Sequence, residues 1–104
     1  MISKQQAEQT VYERINAPRS DWPDMPEMIV LHTDERESGF IVYWTSRPWH
    51  ETGDIQYAIA GNGPYLVCRE DGVIFETGSR PPIEERIREA ELRLQQHLQK
   101  LIPK

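Results

Sequence analysis

The chain reads as an α+β domain: an N-terminal helix, a four-stranded antiparallel β-meander and a long C-terminal helix packed on one sheet face. Three observations predict it. Apolar residues recur at helical spacing near the start (Ala7, Val11, Ile15) and again near the end (Ile83, Ile87, Ala90, Leu94, Leu98, Leu101). Between them lie short runs rich in β-branched and aromatic residues, bounded by turn formers. At the centre stands the stretch 61–78, GNGPYLVCREDGVIFETG, which has the pattern of a β-hairpin.

At 104 residues the chain is sized for one domain, 1–104, with a single core. Hydrophobic residues at 38% and charged residues at 28% favour a folded chain over a disordered one. The one cysteine, Cys68, has no internal disulfide partner. No apolar run approaches the roughly 18–20 residues that cross a bilayer, and MISKQQAEQT lacks an apolar signal core, which predicts a cytoplasmic protein. The net charge of −5 is unevenly spread, with eleven acids against three bases in residues 20–76. A surface of that sign repels nucleic-acid phosphates and suits a basic protein partner, although solubility alone also explains it.

Taken in order, residues 3–16 form the first helix. Ser3 and Gln6 fit a capping box, and Ile2 is placed to staple onto Ala7. Pro18, Pro23 and Pro26 forbid regular structure over 17–27, where Trp22 is expected to plug the corner between helix and sheet. Residues 28–33 and 40–45 are the first two strands, joined by DERESG, a loop longer than the ideal two residues. Both strands are apolar on both faces. With the two helices expected to share one face, the other is left for partial cover by the 47–63 loop or for a protein partner. That loop is long enough to suggest function, and 55–60 within it has the pattern of one helical turn.

Strands follow at 65–70 and 73–77. Asp71-Gly72 between them predicts a type I′ turn, and Pro64 opens the first of the two after the flexible Gly61-Asn62-Gly63. The last helix begins after Pro81-Pro82, with Glu84 and Glu85 in its first turn, Lys100 in its last, and Pro103 stopping it. Glu84–Arg88 and Glu89–Arg93 are spaced for ion pairs along it.

Catalytic chemistry is poorly signalled. His32, His50 and His97 fall on a strand, a loop and a helix, none at metal-ligand spacing, so no metal or cofactor is expected. Cys68 is a nucleophile only if a histidine approaches it in space. His50, Glu51 and Asp54 suit cation binding or proton shuttling on paper, but loop capping explains them with less. GNGP precedes a strand, whereas a phosphate cradle precedes a helix.

The run from FIVYW at 40–44 through Arg47-Pro48-Trp49-His50-Glu51-Thr52-Gly53-Asp54, Ala60-Gly61-Asn62-Gly63-Pro64, Asp71-Gly72 and Gly78-Ser79 to Pro82-Ile83-Glu84-Glu85 resembles the YrhB-like bacterial immunity proteins, the immunity protein 35 family. The resemblance covers 40–87 in order and spacing. It implies a non-enzymatic α+β protein that binds and neutralises a cognate toxin or effector by steric occlusion. Trp44, Trp49, His50, Glu51 and Asp54 are the expected partner contacts. Gly53, Gly61, Asn62, Gly63, Pro64 and Gly72 are the expected structural positions of loops and turns. The alternative is a small holdase that keeps unfolded clients on an apolar sheet face. Neither nucleic acid nor membrane is an expected partner, and monomer against homodimer stays open.

Overall fold

In a computed structural model describing residues 1–59 and 61–101, the N-terminal apolar stripe folds as helix α1 (Lys4–Ile15). Its start is the expected capping box: the Ser3 hydroxyl accepts from the Gln6 amide at 3.1 Å, and the Gln6 side chain accepts from the Ser3 amide at 2.8 Å. The proline-rich segment after it stays irregular and carries Trp22 onto the core beside α1. Strands β1 (Met28–Glu35), β2 (Gly39–Ser46), β3 (Tyr65–Cys68) and β4 (Ile74–Glu76) pair antiparallel in the order β1-β2-β3-β4, the meander that the β-branched and aromatic runs predict. Helix α3 (Ile83–Leu101) closes the fold and buries Ile87, Ala90 and Leu94 of its stripe. Ala60 and Pro103, which the sequence reading placed at a helical turn and at the chain's stop, lie outside the described residues.

The two long helices do not share a face. Phe40, Val42 and Val67 pack with Ala7, Val11 and Ile15 of α1, whereas Ile41, Leu66 and Cys68 pack with Ile87, Ala90 and Leu94 of α3. Successive residues of a strand point to opposite sides, so a sheet between two helices must be apolar on both. This is the reason β2 reads FIVYW without alternation. The second face is under α3, not under the 47–63 loop.

Both hairpins differ from expectation. β1 and β2 run on until Arg36 and Gly39 exchange backbone bonds of 2.8 and 3.2 Å, which leaves only Glu37 and Ser38 in the loop. The tightness has a second cause: a Cβ on Gly39 would sit 2.1 Å from the Val67 carbonyl oxygen, so only glycine lets β3 approach here. The β3–β4 connection is longer than a type I′ turn. Cys68 and Val73 close it with a 2.8 Å bond, and the Gly72 amide donates back to the Cys68 carbonyl at 2.8 Å. Gly72 has φ 78°, but no non-glycine residue among those described has positive φ, so Asp71 stays on the ordinary side of the map. Its carboxylate is engaged instead, accepting from the Val73 amide at 3.1 Å.

β1 carries a bulge between Val30 and His32, where Leu31 is the extra residue. Past the bulge, His32 stacks on Tyr43 at 4.5 Å and the Thr33 hydroxyl donates to Glu8 of α1 at 2.6 Å. The expected i,i+4 pairs of α3 are replaced by others: Glu84 and Glu91 hold Arg36 across the fold at 2.9 and 3.4 Å, Glu85 and Glu89 pair with Arg86 at 3.2 and 3.0 Å, and Arg93 donates to the Glu76 carbonyl.

Candidate functional site

The segment leaving β2 is built from short-range contacts. Ser46 is buried, and its hydroxyl oxygen accepts from the Trp49 amide at 3.2 Å while its proton goes to the Tyr57 carbonyl at 2.9 Å. With Pro48 in the first turn, this cap starts helix α2 (Arg47–Thr52), where the sequence reading expected loop. Gly53 ends it at φ 68°, with its amide donating to the Trp49 carbonyl at 2.9 Å. Asp54 then caps a 3₁₀ turn, Ile55–Tyr57, by accepting from the Gln56 amide at 3.1 Å. The expected helical turn over 55–60 is thus shorter. The Ser46 cap was legible, but six residues with a single apolar member carry no periodicity to read.

The root of α2 is pinned by Glu27. Its carbonyl accepts from the Arg47 amide at 2.8 Å, and its carboxylate holds the Arg47 guanidinium at 2.6 Å and the Tyr12 hydroxyl at 2.6 Å. The Arg47 bond, followed by the Tyr12 bond, brings the Glu27 carboxyl down to about 2.

His50, Glu51 and Asp54 are all exposed on this segment, and Trp49 is half-buried beside them. Two residues absent from the sequence-based set join them: Ile55, 79% exposed, and Tyr57, 38% exposed. No sequence signal marks them, because the exposure of Ile55 and Tyr57 is set by what packs around them in space.

Trp44 stands apart from that group. Its indole donates to the Gly63 carbonyl at 3.0 Å and stacks on Tyr65 at 6.1 Å, while Asn62 donates to the Trp44 carbonyl at 3.0 Å. It lines a hollow of about 290 Å³ with Arg14, Trp22, Met25 and Ile59 on the α1 side. Gly61 has φ 80°. Gly63 crosses the chain so closely that a Cβ would lie 2.0 Å from the Gly78 oxygen, and buried Pro64 accepts from the Thr77 hydroxyl at 2.7 Å.

Cys68 lies at the far end of β2, paired with Gly39, away from His50 and Glu51. A different histidine reaches it. Cys68, Asp71 and His97 place one sulfur, one carboxylate oxygen and one ring nitrogen within 4.8 Å of one another. His97 Nε2 and Asp71 Oδ2 are 2.6 Å apart, and Phe75 meets the His97 ring edge-on. Burial pushes the Cys68 thiol up. At Asp71 burial works upward too, but the bonds from His97, the Val73 amide and Cys68 together leave its carboxyl below the usual value.

A capped, exposed rim suits a protein that binds another protein. The chain belongs to the immunity protein 35 family, whose description matches residues 10–90. Such membership implies a toxin-neutralising role and, with it, a cognate toxin as partner; the family is generally non-enzymatic. Over 73 residues the chain is 32% identical to the uncharacterized protein YrhB of Escherichia coli (strain K12), covering 70% of this chain and 77% of that one. No solved structure matches it. No helix among the described residues is long and apolar enough to cross a membrane.

Proposed function

We propose that this protein neutralises its toxin by capturing it on the α2 rim and occluding it sterically, in the cytoplasm of the producing cell. One observation carries the reading: Ile55 stands 79% exposed between Asp54 and Tyr57, on a segment whose backbone is locked by Ser46, Gly53 and Asp54. A preorganised apolar anchor loses little freedom on binding. The carboxylates of Glu51 and Asp54 beside it favour a basic contact face on the partner and speed encounter. Trp49 and His50 extend the same surface. Trp44, tied to Gly63, contributes from the α1-side hollow or not at all.

The holdase alternative needs an apolar sheet face open to clients. Both faces of β2 are occupied, one by α1 and one by α3, which weighs against it.

The test is complex formation with the toxin encoded beside this gene. Ile55→Asp and Asp54→Lys are expected to weaken a one-to-one complex, and the association rate of the unmodified protein is expected to fall with added salt. Full affinity in both folded variants moves the contact surface elsewhere.

A further inference from the structure

The cluster at the opposite end of the sheet has no part in that reading. It joins three elements: Cys68 ends β3, Asp71 lies in the β3–β4 loop, and His97 projects from α3. The strand residue paired with Cys68 is Gly39, whereas α2 begins after Ser46. Seven residues of β2 at a rise of about 3.3 Å each separate the two places by about 23 Å.

We propose that Cys68, Asp71 and His97 form a binding site for a borderline-soft divalent ion such as Zn²⁺, with three protein ligands and a fourth position open to water. The donor set is the first argument. A thiolate, an imidazole nitrogen and a carboxylate oxygen together select zinc or cobalt over magnesium and calcium, which prefer oxygen alone. The geometry is the second. Tetrahedral bonds of about 2.0–2.3 Å put neighbouring ligand atoms roughly 3.3–3.8 Å apart. The three donor atoms already lie within 4.8 Å, with His97 and Asp71 at 2.6 Å, so modest side-chain rotations bring them to an ion.

The surroundings are the third argument. Cys68 is fully buried, whereas the His97 and Asp71 side chains are 26% and 30% exposed, giving a dry sulfur and a wet entrance. Asp71 Oδ1 is held by the Val73 amide and the His97 ring by Phe75, so two ligands are oriented before an ion arrives. On binding, the metal–sulfur bond forms as the Cys68 thiol proton passes to solvent, and the Asp71–His97 hydrogen bond gives way to two bonds to the ion as the proton held between them also passes to solvent, the neutral ring carrying its proton on Nδ1. The ion would tie α3 to the hairpin.

Co²⁺ added to the untagged, reduced full chain reads this directly. A thiolate-to-cobalt charge-transfer band is expected to grow to a single ion per chain and to disappear when Zn²⁺ is added. Zn²⁺, but not Mg²⁺, is expected to raise Tm. Cys68→Ala should abolish the band. Because that side chain is in the core, His97→Gln and Asp71→Asn serve as surface variants that keep the fold. Each should weaken Co²⁺ binding about tenfold or more, since even the partners behind a metal ligand are worth that much. A folded wild-type chain with no band and no Zn²⁺-dependent Tm overturns the proposal, as does unchanged Co²⁺ affinity in His97→Gln. Either result leaves toxin capture at α2 untouched.

Discussion

The two ends of β2 are built on different rules. Beyond the Glu27 and Tyr57 ties at its root, the Ser46 end holds itself by contacts of two to four residues in sequence, such as Thr52 to Pro48 at 2.7 Å and Asp54 to Gln56 at 3.1 Å, and His50, Glu51 and Ile55 face water. At the Gly39 end the tight turns are joined by long-range side-chain ties. Arg69 donates to the Arg36 carbonyl at 2.6 Å, Arg36 reaches Glu84 at 2.9 Å, and Asp71 meets His97 at 2.6 Å. Local caps fix the shape of the segment with three short side chains, Ser46, Thr52 and Asp54, and leave His50, Ile55 and Tyr57 free to be presented. Long-range ties spend the side chains on the fold itself. One end is therefore suited to recognition and the other to stability.

The sharpest way to break that contrast is Leu94→Ala. Leu94 is fully buried against Ile41, Leu66 and Cys68, so a loss of about 2–5 kcal/mol is expected in denaturant unfolding, with no change in toxin contacts once the fold is maintained. Gly39→Ala comes next. Its Cβ would collide with backbone at 2.1 Å, not with a side chain that can move, and a cost of about 1–3 kcal/mol is expected in the same assay. At the other end Trp49→Ala should weaken toxin binding by more than about 1 kcal/mol in titration calorimetry. A large fall in stability with unchanged affinity would reassign Trp49 to packing.

The smallest effect is a pH dependence at the junction. Glu27 titrates near 2 in the folded chain and near 4.5 ordinarily. Its contribution is therefore present in full above about 4.5 and is lost as pH falls from there through about 2. Tm measured across that window should decline less steeply for Glu27→Gln than for the unmodified protein. Parallel declines would remove Glu27 as the pin beneath α2.

What the sequence made legible follows the same division. Periodicity of three and four located α3 at Ile83–Leu101, and the Ser3–Gln6 pair located the start of α1. Those signals are local and repeat. The apolar character of both faces of β2 was equally visible, but assigning a helix to each face depends on the chain's path through 17–27 and 78–82, which no residue pattern encodes. Helix α2 was missed because a serine cap and one proline are too brief a signal against a Trp-His-Glu run. The approach of His97 to Cys68 depends on the phase of α3 relative to a four-residue loop, and their separation in sequence hides it. Ile55 and Tyr57 were overlooked for a related reason: whether an apolar side chain is exposed is a property of its neighbours in space.

The bulge at Leu31 has a consequence for life at high concentration. In a sheet ordered β1-β2-β3-β4 the outer rims belong to β1 and β4. An unbroken rim is a ladder of idle amides onto which another copy can zip, and so on into a fibre. Here one rim is interrupted by the extra residue and studded with His32, Asp34 and Glu35, and the other is three residues long. Copies can accumulate ahead of need without knitting into one another.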